Sequence, residues 1–180
     1  MKIEGNVWTF GDNINTDLIF PNHNFKPAYE PGEMGRALLT GADPDFPSRL
    51  SRGDVIVGGR NFGCGSSREE AAGAMKEAGV GAIVASSFGR LFFRNCINLG
   101  VPVVTSAGIG DHVAAGDRLA IDLVGGTIED ESNGYSARFP AIAPELLSLL
   151  QEGGLHEYTV KELTRRRSSD QVTAGTREKE

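Results

Sequence analysis

Cysteine and histidine are scarce in this sequence. It holds two cysteines, Cys64 and Cys96, and three histidines among 180 residues. The cysteines lie far apart in unlike surroundings, so they do not form a disulfide framework. Two cysteines are also too few to hold an iron–sulfur cluster or a structural zinc ion, and the histidines show no metal-ligand spacing. We therefore expect this chain to bind no metal and no cofactor of its own.

Long apolar runs and excess basic charge are missing too. No stretch approaches the roughly 18 apolar residues of a membrane span, and MKIEGNVWTF lacks the apolar stretch of a signal peptide. We expect a cytoplasmic protein that does not enter a membrane. Residues 1–160 carry 12 Lys or Arg against 20 Asp or Glu, and the last twenty carry six against four. Such an acidic body binds phosphate backbones poorly, which disfavours an RNA-binding module.

The pattern of apolar residues predicts an α/β fold. DVIVGG and VGAIVAS are typical of buried strands, and the helical spacing of Ser67 to Ala78 lies between them. Strand, helix and strand together form a βαβ unit. A second unit follows, with a helix from Arg90 to Leu99 and the strand VPVVTS. Alternation on both sides of Gly125 and Gly126 then predicts a β-hairpin that flanks these units.

Two segments lack a regular pattern. Residues 21–53 contain five prolines, with one short helix predicted near Glu33 to Leu39, and a connection of this length in a compact domain is usually functional. The segment from Thr164, TRRRSSDQVTAGTREKE, has no apolar periodicity, and we expect it to be disordered. The sequence therefore predicts a single domain over residues 1–163 and a polar tail over residues 164–180.

The most informative stretch is GGRNFGCGSSREE, residues 58–70. Ser66 and Ser67 are each followed three residues later by a glutamate, so either one fits a capping box at the start of the helix. Capping explains neither the glycines nor an arginine in the first helical turn, where the helix dipole disfavours a cation. Free amides, glycines that let a ligand approach the backbone and Arg68 together favour a small-anion site. A phosphate-binding P-loop is excluded, because no lysine lies in this stretch.

Three motifs in order resemble one family. GDNINTDLIFP, GRNFGCGSSREEA and FGRLFFRNCINLGVPVV are similar to the swivelling domain of the aconitase superfamily, specifically the separate small subunit of 3-isopropylmalate dehydratase and its relatives. The resemblance covers roughly residues 1–160. It implies an α/β swivelling domain that closes over a large subunit, and a four-iron four-sulfur cluster carried by that large subunit. It also implies a hydro-lyase that isomerises a hydroxy-dicarboxylate by dehydration and rehydration.

The resemblance also assigns roles to particular residues. Ser66, the first serine after Gly65, matches the catalytic base, used as an alkoxide that the loop amides stabilise. Ser67 and Arg68 match positions that bind the substrate carboxylate, with Gly65 beside them. Asp17 matches the retained acid of an Asp-Thr-Asp or Thr-Thr-Asp turn and is expected to position Arg68 or Ser66. The alternative for Asp17 is an Asx turn that ends a loop.

The motifs leave the substrate open. By resemblance the specificity loop lies within residues 23–49, where HNFKPAYEPGEMGRALLTG is longer than the Tyr-Leu-Arg or Tyr-Leu-Val form of many relatives. Arg36 is a candidate for reading the substrate, and an exposed helix arginine is the alternative. We favour isomerisation of 3-isopropylmalate and 2-isopropylmalate in leucine biosynthesis. The alternatives are homoaconitate, citraconate or methylmalate and dimethylmalate, or a stand-alone protein that binds a small anion with the same loop.

Overall fold

One curled mixed sheet organises the protein. The computed structural model describes residues 1–165. Seven strands lie in the order β4-β3-β2-β1-β5-β6-β7. They are β1 (Lys2–Phe10), β2 (Val55–Gly58), β3 (Ala82–Ala85), β4 (Val103–Thr105), β5 (Arg118–Asp122), β6 (Thr127–Asp130) and β7 (Ser136–Arg138).

The first strand joins two halves of this sheet. Residues 7–10 of β1 pair in parallel with β2, and residues 2–6 pair antiparallel with β5. Strands β2, β3 and β4 continue the parallel half, and β6 and β7 continue the antiparallel half. Every residue of β2 and β3 is buried, as expected for parallel strands whose sequences are continuous apolar runs.

The helices form a row along the parallel half. They are α1 (Thr16–Ile19), α2 (Glu33–Arg36), α3 (Phe46–Arg49), α4 (Glu69–Ala78), α5 (Arg90–Leu99) and α6 (Pro144–Gln151), followed by α7 over residues 155–165. Helix α4 connects β2 to β3 and α5 connects β3 to β4. Contacts of α2 with α4, α4 with α5 and α5 with α6 make the row continuous. Among the helices that the structure describes, none is long and apolar enough to cross a bilayer.

The two predicted βαβ units and the hairpin are confirmed, and the bounds of α5 are those predicted. The helix predicted near Glu33 to Leu39 ends earlier, at Arg36. It stops because Leu39 has a φ of 55° and its amide donates to the carbonyl of Ile19 (2.7 Å). Residues 21–53, most of the connection between β1 and β2, form a segment that we call the long connection. Besides α2 it holds one more short helix, α3, and a 3₁₀ turn over Asn22–Asn24.

The predicted tail falls mostly outside the described residues. Thr164 and Arg165 belong to α7, which contradicts disorder at these two positions. The sequence did not predict a helix at these two positions because the segment from Thr164 has no apolar residues at helical spacing. Residues 166–180 are outside the described part of the chain, so the domain boundary at residue 163 stays a prediction.

Candidate active site

The parallel strands determine where the candidate site lies. Because β1, β2 and β3 run in the same direction, their carboxyl ends meet at one edge of the sheet. Ligands of open α/β sheets bind at this edge. The loop after β2, residues 59–68 (the glycine loop), leaves this edge and leads into α4.

Backbone hydrogen bonds hold the glycine loop between its neighbours. On one side, the amide of Gly63 donates to the carbonyl of Ile14 (2.7 Å), and the amide of Thr16 donates to the carbonyl of Cys64 (2.9 Å). On the other side, a carbonyl of the loop after β3 accepts from the amide of Phe62 (3.0 Å). Main-chain groups therefore fix the path of the loop as far as Cys64.

Two of its glycines are required by geometry. Gly63 has a φ of 73°, and a Cβ atom there would lie 2.2 Å from the ring of Phe92. Gly65 has a φ of 105°, and its Cβ would lie 3.1 Å from Oγ1 of Thr16. Since L-residues rarely adopt such φ values, glycine lets the loop turn sharply and approach both neighbours closely.

The predicted capping box is wrong. Helix α4 begins at Glu69, and its N-cap is Arg68, whose side chain makes no capping hydrogen bond. Arg68 keeps an extended backbone (φ −73°, ψ 115°), so the helix begins too late for either serine to reach its first amides in the way the spacing suggested. Ser66 and Ser67 are both exposed instead.

The glycine loop therefore presents a run of free backbone donors. Within residues 1–165, no group accepts a hydrogen bond from the amides of Gly65, Ser66, Ser67 or Arg68. These four consecutive amides precede the positive end of α4, which adds a favourable potential for an anion. The arrangement can bind a carboxylate or stabilise negative charge on an oxygen.

Within the described residues, the Ser66 side chain makes one hydrogen-bond contact. Its Oγ lies 3.5 Å from Oγ1 of Thr16, at the start of α1. Thr16 is only 1% exposed, whereas Ser66 faces solvent. Sequence reasoning missed Thr16, because a threonine fifty positions from the serine carries no local signal of this contact.

Arg68 lies between an acid and an aromatic ring. Its Nη1 donates to Oδ1 of Asp17, and its Cζ lies 5.7 Å from the ring centroid of Phe25. The side chain of Arg68 is 18% exposed. The predicted contact between Asp17 and the arginine is thus present in the structure, whereas Phe25 was missed, since nothing in the sequence places that residue over the loop.

The Asx-turn alternative for Asp17 does not hold. Asp17 lies inside α1 and directs its carboxylate to Arg68. The residue that caps α1 is Asn15, whose side chain accepts from the amide of Leu18 (2.9 Å). This capping role needs an acceptor oxygen but no charge.

Arg36 is placed apart from the glycine loop. It is exposed on α2 and lines a groove of about 310 Å³ together with His23, Asn24, Glu33, Ala37 and Thr40. No residue of the glycine loop lines that groove. The structure thus groups Ser66, Ser67, Arg68, Gly65 and Asp17 but does not bring Arg36 to them within this chain.

The cysteines occupy different environments. Cys96 is buried in α5, and its burial raises the pKa of the thiol. Cys64 is partly exposed in the glycine loop. Among the residues that the structure describes, no three His, Cys, Asp or Glu side chains gather where they could hold a metal ion. These residues therefore do not fit a cluster of their own.

The fold and the glycine loop together define a class of protein. The family model of the aconitase C-terminal domain matches residues 12–107, which include the first motif from Asp12 onward and the other two motifs completely. The chain belongs to the aconitase C-terminal domain family, and the resemblance of its motifs is confirmed.

Particular relatives share nearly the whole chain. It is 42% identical over 161 residues to the isopropylmalate/citramalate isomerase small subunit of Methanocaldococcus jannaschii, covering 89% of this chain and 95% of that protein. It is 43% identical over 169 residues to the methanogen homoaconitase small subunit of Methanothermobacter thermautotrophicus, covering 94% and 97%. The crystal structure of a 3-isopropylmalate dehydratase from M. jannaschii matches with a TM-score of 0.87 at 35% identity, covering 94% of this chain and 99% of that one. The swivelling-domain fold is thereby confirmed.

Proposed function

We propose that this chain is the small subunit of a heteromeric hydro-lyase of the 3-isopropylmalate dehydratase type. The observation that carries the proposal is the run of unpaired amides from Gly65 to Arg68 beside the Ser66 hydroxyl. Such donors favour an oxygen that gains negative charge. The names of the relatives, and their nearly complete coverage by this chain, support the same assignment.

In this role Ser66 is the catalytic base. As an alkoxide it removes a proton from the carbon next to the one that bears the hydroxyl. The electrons of the broken C–H bond form the C=C bond, and the hydroxyl leaves from the adjacent carbon. Ser66 then carries the proton as an ordinary hydroxyl until rehydration. The neighbouring amides lower the free energy of the alkoxide, which an unaided serine could not reach.

The substrate carboxylate would be held by Arg68 and Ser67. A guanidinium has five N–H donors in a planar fork, and Asp17 accepts from Nη1. Donors thus remain for a carboxylate, which arginine can grip through two hydrogen bonds. Asp17 and Phe25 act as positioning residues in this proposal, because they contact the guanidinium from two sides.

The reaction needs a second subunit. A four-iron four-sulfur cluster held by the large subunit would supply the Lewis acid for the leaving hydroxyl. The carboxyl edge that carries the glycine loop is the surface we expect to close over that subunit. As part of leucine biosynthesis, the assembled enzyme would act in the cytoplasm.

The substrate we propose first is the pair 3-isopropylmalate and 2-isopropylmalate. Relatives with similar identity are named for isopropylmalate, citramalate and homoaconitate, so the alternatives are homoaconitate, citraconate or methylmalate and dimethylmalate. From the long connection, the ring of Phe25 reaches the guanidinium of Arg68. An apolar ring there suits an alkyl side chain better than an additional carboxylate.

The decisive experiment is anaerobic co-expression with candidate large subunits, followed by assays with the malate derivatives above. We expect turnover by the complex, none by the small chain alone, and preference for 3-isopropylmalate. In the complex, Arg68→Lys should raise KM about tenfold to a hundredfold, because a point charge cannot reproduce a planar two-bond grip. A solitary chain that binds dicarboxylates but is inactive with every large subunit would indicate a binding protein, and retention on heparin would indicate RNA binding.

A further inference from the structure

A buried hydroxyl faces the proposed base. Thr16 is 1% exposed, and its Oγ1 lies 3.5 Å from Oγ of Ser66. Within the described residues, Ser66 is the one hydrogen-bond partner of this hydroxyl, and no buried side-chain polar atom is left without a partner. A hydroxyl can donate or accept a hydrogen bond, and either oxygen of this pair could be the donor.

The contact is built by the main chain on both sides. The amide of Thr16 donates to the carbonyl of Cys64 (2.9 Å), which fixes the start of α1 against the glycine loop. Asn15 caps the same helix. Gly65 has no Cβ, and one placed there would lie 3.1 Å from Oγ1 of Thr16. The two loops are therefore arranged so that this hydroxyl reaches the serine and little else.

We propose that Thr16 is a positioning residue for the reaction: its hydroxyl donates a hydrogen bond to the Ser66 oxygen and orients that oxygen towards the substrate. The inference rests on the proposed function, in which Ser66 is the base. Thr16 keeps its own proton throughout, while the Ser66 oxygen takes the proton from the substrate carbon. Hydrogen bonds of this kind are often long in ligand-free structures and shorten in the reacting complex.

Replacement of the hydroxyl by a methyl group tests this role. In the assembled enzyme, Thr16→Val keeps the shape of the side chain and removes the donor. We expect kcat to fall about tenfold to a hundredfold, as for loss of a hydrogen bond to a charged oxygen, with KM within about twofold of wild type. Thr16→Ser restores the donor and should recover kcat to within about threefold.

Controls separate this effect from a loss of structure. Thr159→Val is the control, because Thr159 lies on α7 and its hydroxyl donates to the carbonyl of Leu155 (2.7 Å), and its kcat should equal that of wild type. Side-chain couplings of Ser66, measured by NMR on the full chain, give a readout without turnover. We expect one rotamer in wild type and rotamer averaging in Thr16→Val. If Thr16→Val does not fold, Thr16→Ala serves for the same measurements.

The outcomes distinguish this inference from the proposed function. A folded Thr16→Val with wild-type kcat and a single Ser66 rotamer overturns the role of Thr16. If Ser66→Ala is inactive in the same assay, the proposed function stands despite that result. If Ser66→Ala remains active, Ser66 is not the base and the role of Thr16 falls with it, while the turnover itself supports the hydro-lyase assignment.

Discussion

The glycine loop and the long connection both approach the proposed substrate, but they are held by different kinds of contact. The glycine loop is fixed by main-chain hydrogen bonds to the loops before and after it. The long connection has main-chain bonds too, such as that from the amide of Leu39 to the carbonyl of Ile19 (2.7 Å). Its contacts with Arg68 and α4 involve side chains: Phe25 lies against Arg68, and Glu77 of α4 accepts from the amides of Gly32 (2.6 Å) and Gly35 (2.7 Å). The part of the connection near Arg68 and α4 thus depends on side chains more than the glycine loop does.

The difference predicts where substitutions are severe. A change in the glycine loop up to Cys64 should disturb folding or turnover directly, since main-chain bonds and close glycine contacts fix its backbone. A change at Phe25 should alter substrate binding and leave the fold largely intact, because Phe25 meets Arg68 through a separate side-chain contact.

Gly63→Ala should have the largest effect on stability. The new Cβ would require a φ of 73° and would lie 2.2 Å from the ring of Phe92. We expect a loss of about 2–4 kcal/mol in the free energy of unfolding, from backbone strain and overpacking together. Urea unfolding measures this free energy. Gly11→Ala is the matched control, because nothing lies within 4 Å of a Cβ there. Equal stability of the two variants would contradict the rigid-loop account.

Glu77→Ala should have the next largest effect. It leaves the amides of Gly32 and Gly35 without their shared carboxylate, and hydrogen bonds to charged groups contribute about 1.5–3 kcal/mol each. We expect a loss of about 1–3 kcal/mol and faster amide exchange around α2, with the glycine loop unchanged. Glu77→Gln keeps one acceptor oxygen, so its free energy of unfolding should lie between those of wild type and Glu77→Ala. Faster exchange in the glycine loop as well would show that the two regions are coupled.

Phe25→Ala should change substrate binding with little change in stability. The ring is 49% exposed, and a cation–π contact at such a site contributes about 0.5–1 kcal/mol. We expect KM of the assembled enzyme to rise about threefold to fivefold, since Arg68 loses one of its two contacts, with kcat nearly constant. Phe25→Tyr should restore KM. Val124→Ala removes another exposed apolar side chain, remote in the fold, and should have no effect.

Asp12→Asn should give the smallest effect, visible only in acid. Hydrogen bonds from the Arg60 amide, and then from its guanidinium, hold the pKa of Asp12 below its ordinary value. This contribution to stability is present above the unfolded-state pKa of about 4 and is lost as the pH falls through the lowered folded-state value. The stability difference between wild type and Asp12→Asn should therefore shrink below about pH 4. A constant difference across that range would contradict the assignment.

The difference between the glycine loop and the long connection also explains which features could be predicted from the sequence. The strands β2 and β3, helix α5 and the glycine loop follow from local patterns, because apolar periodicity and glycine spacing act over a few residues. The contacts of Ser66 with Thr16 and of Arg68 with Phe25 join positions far apart in the chain, so no local pattern carries them. The capping box failed for a related reason. Arg68, whose side chain contacts Asp17 and Phe25, keeps an extended backbone, and the helix begins only at Glu69 despite the favourable local spacing.

The central claim is that Ser66, among unpaired amides, performs the proton transfer. The direct measurement is kcat of the assembled enzyme with Ser66→Ala, with Ser148→Ala on α6 as the serine control. The account predicts intact assembly for both, a kcat reduced about a thousandfold for Ser66→Ala as for loss of a general base, and wild-type kcat for Ser148→Ala. A Ser66→Ala enzyme within about tenfold of wild type would contradict the claim.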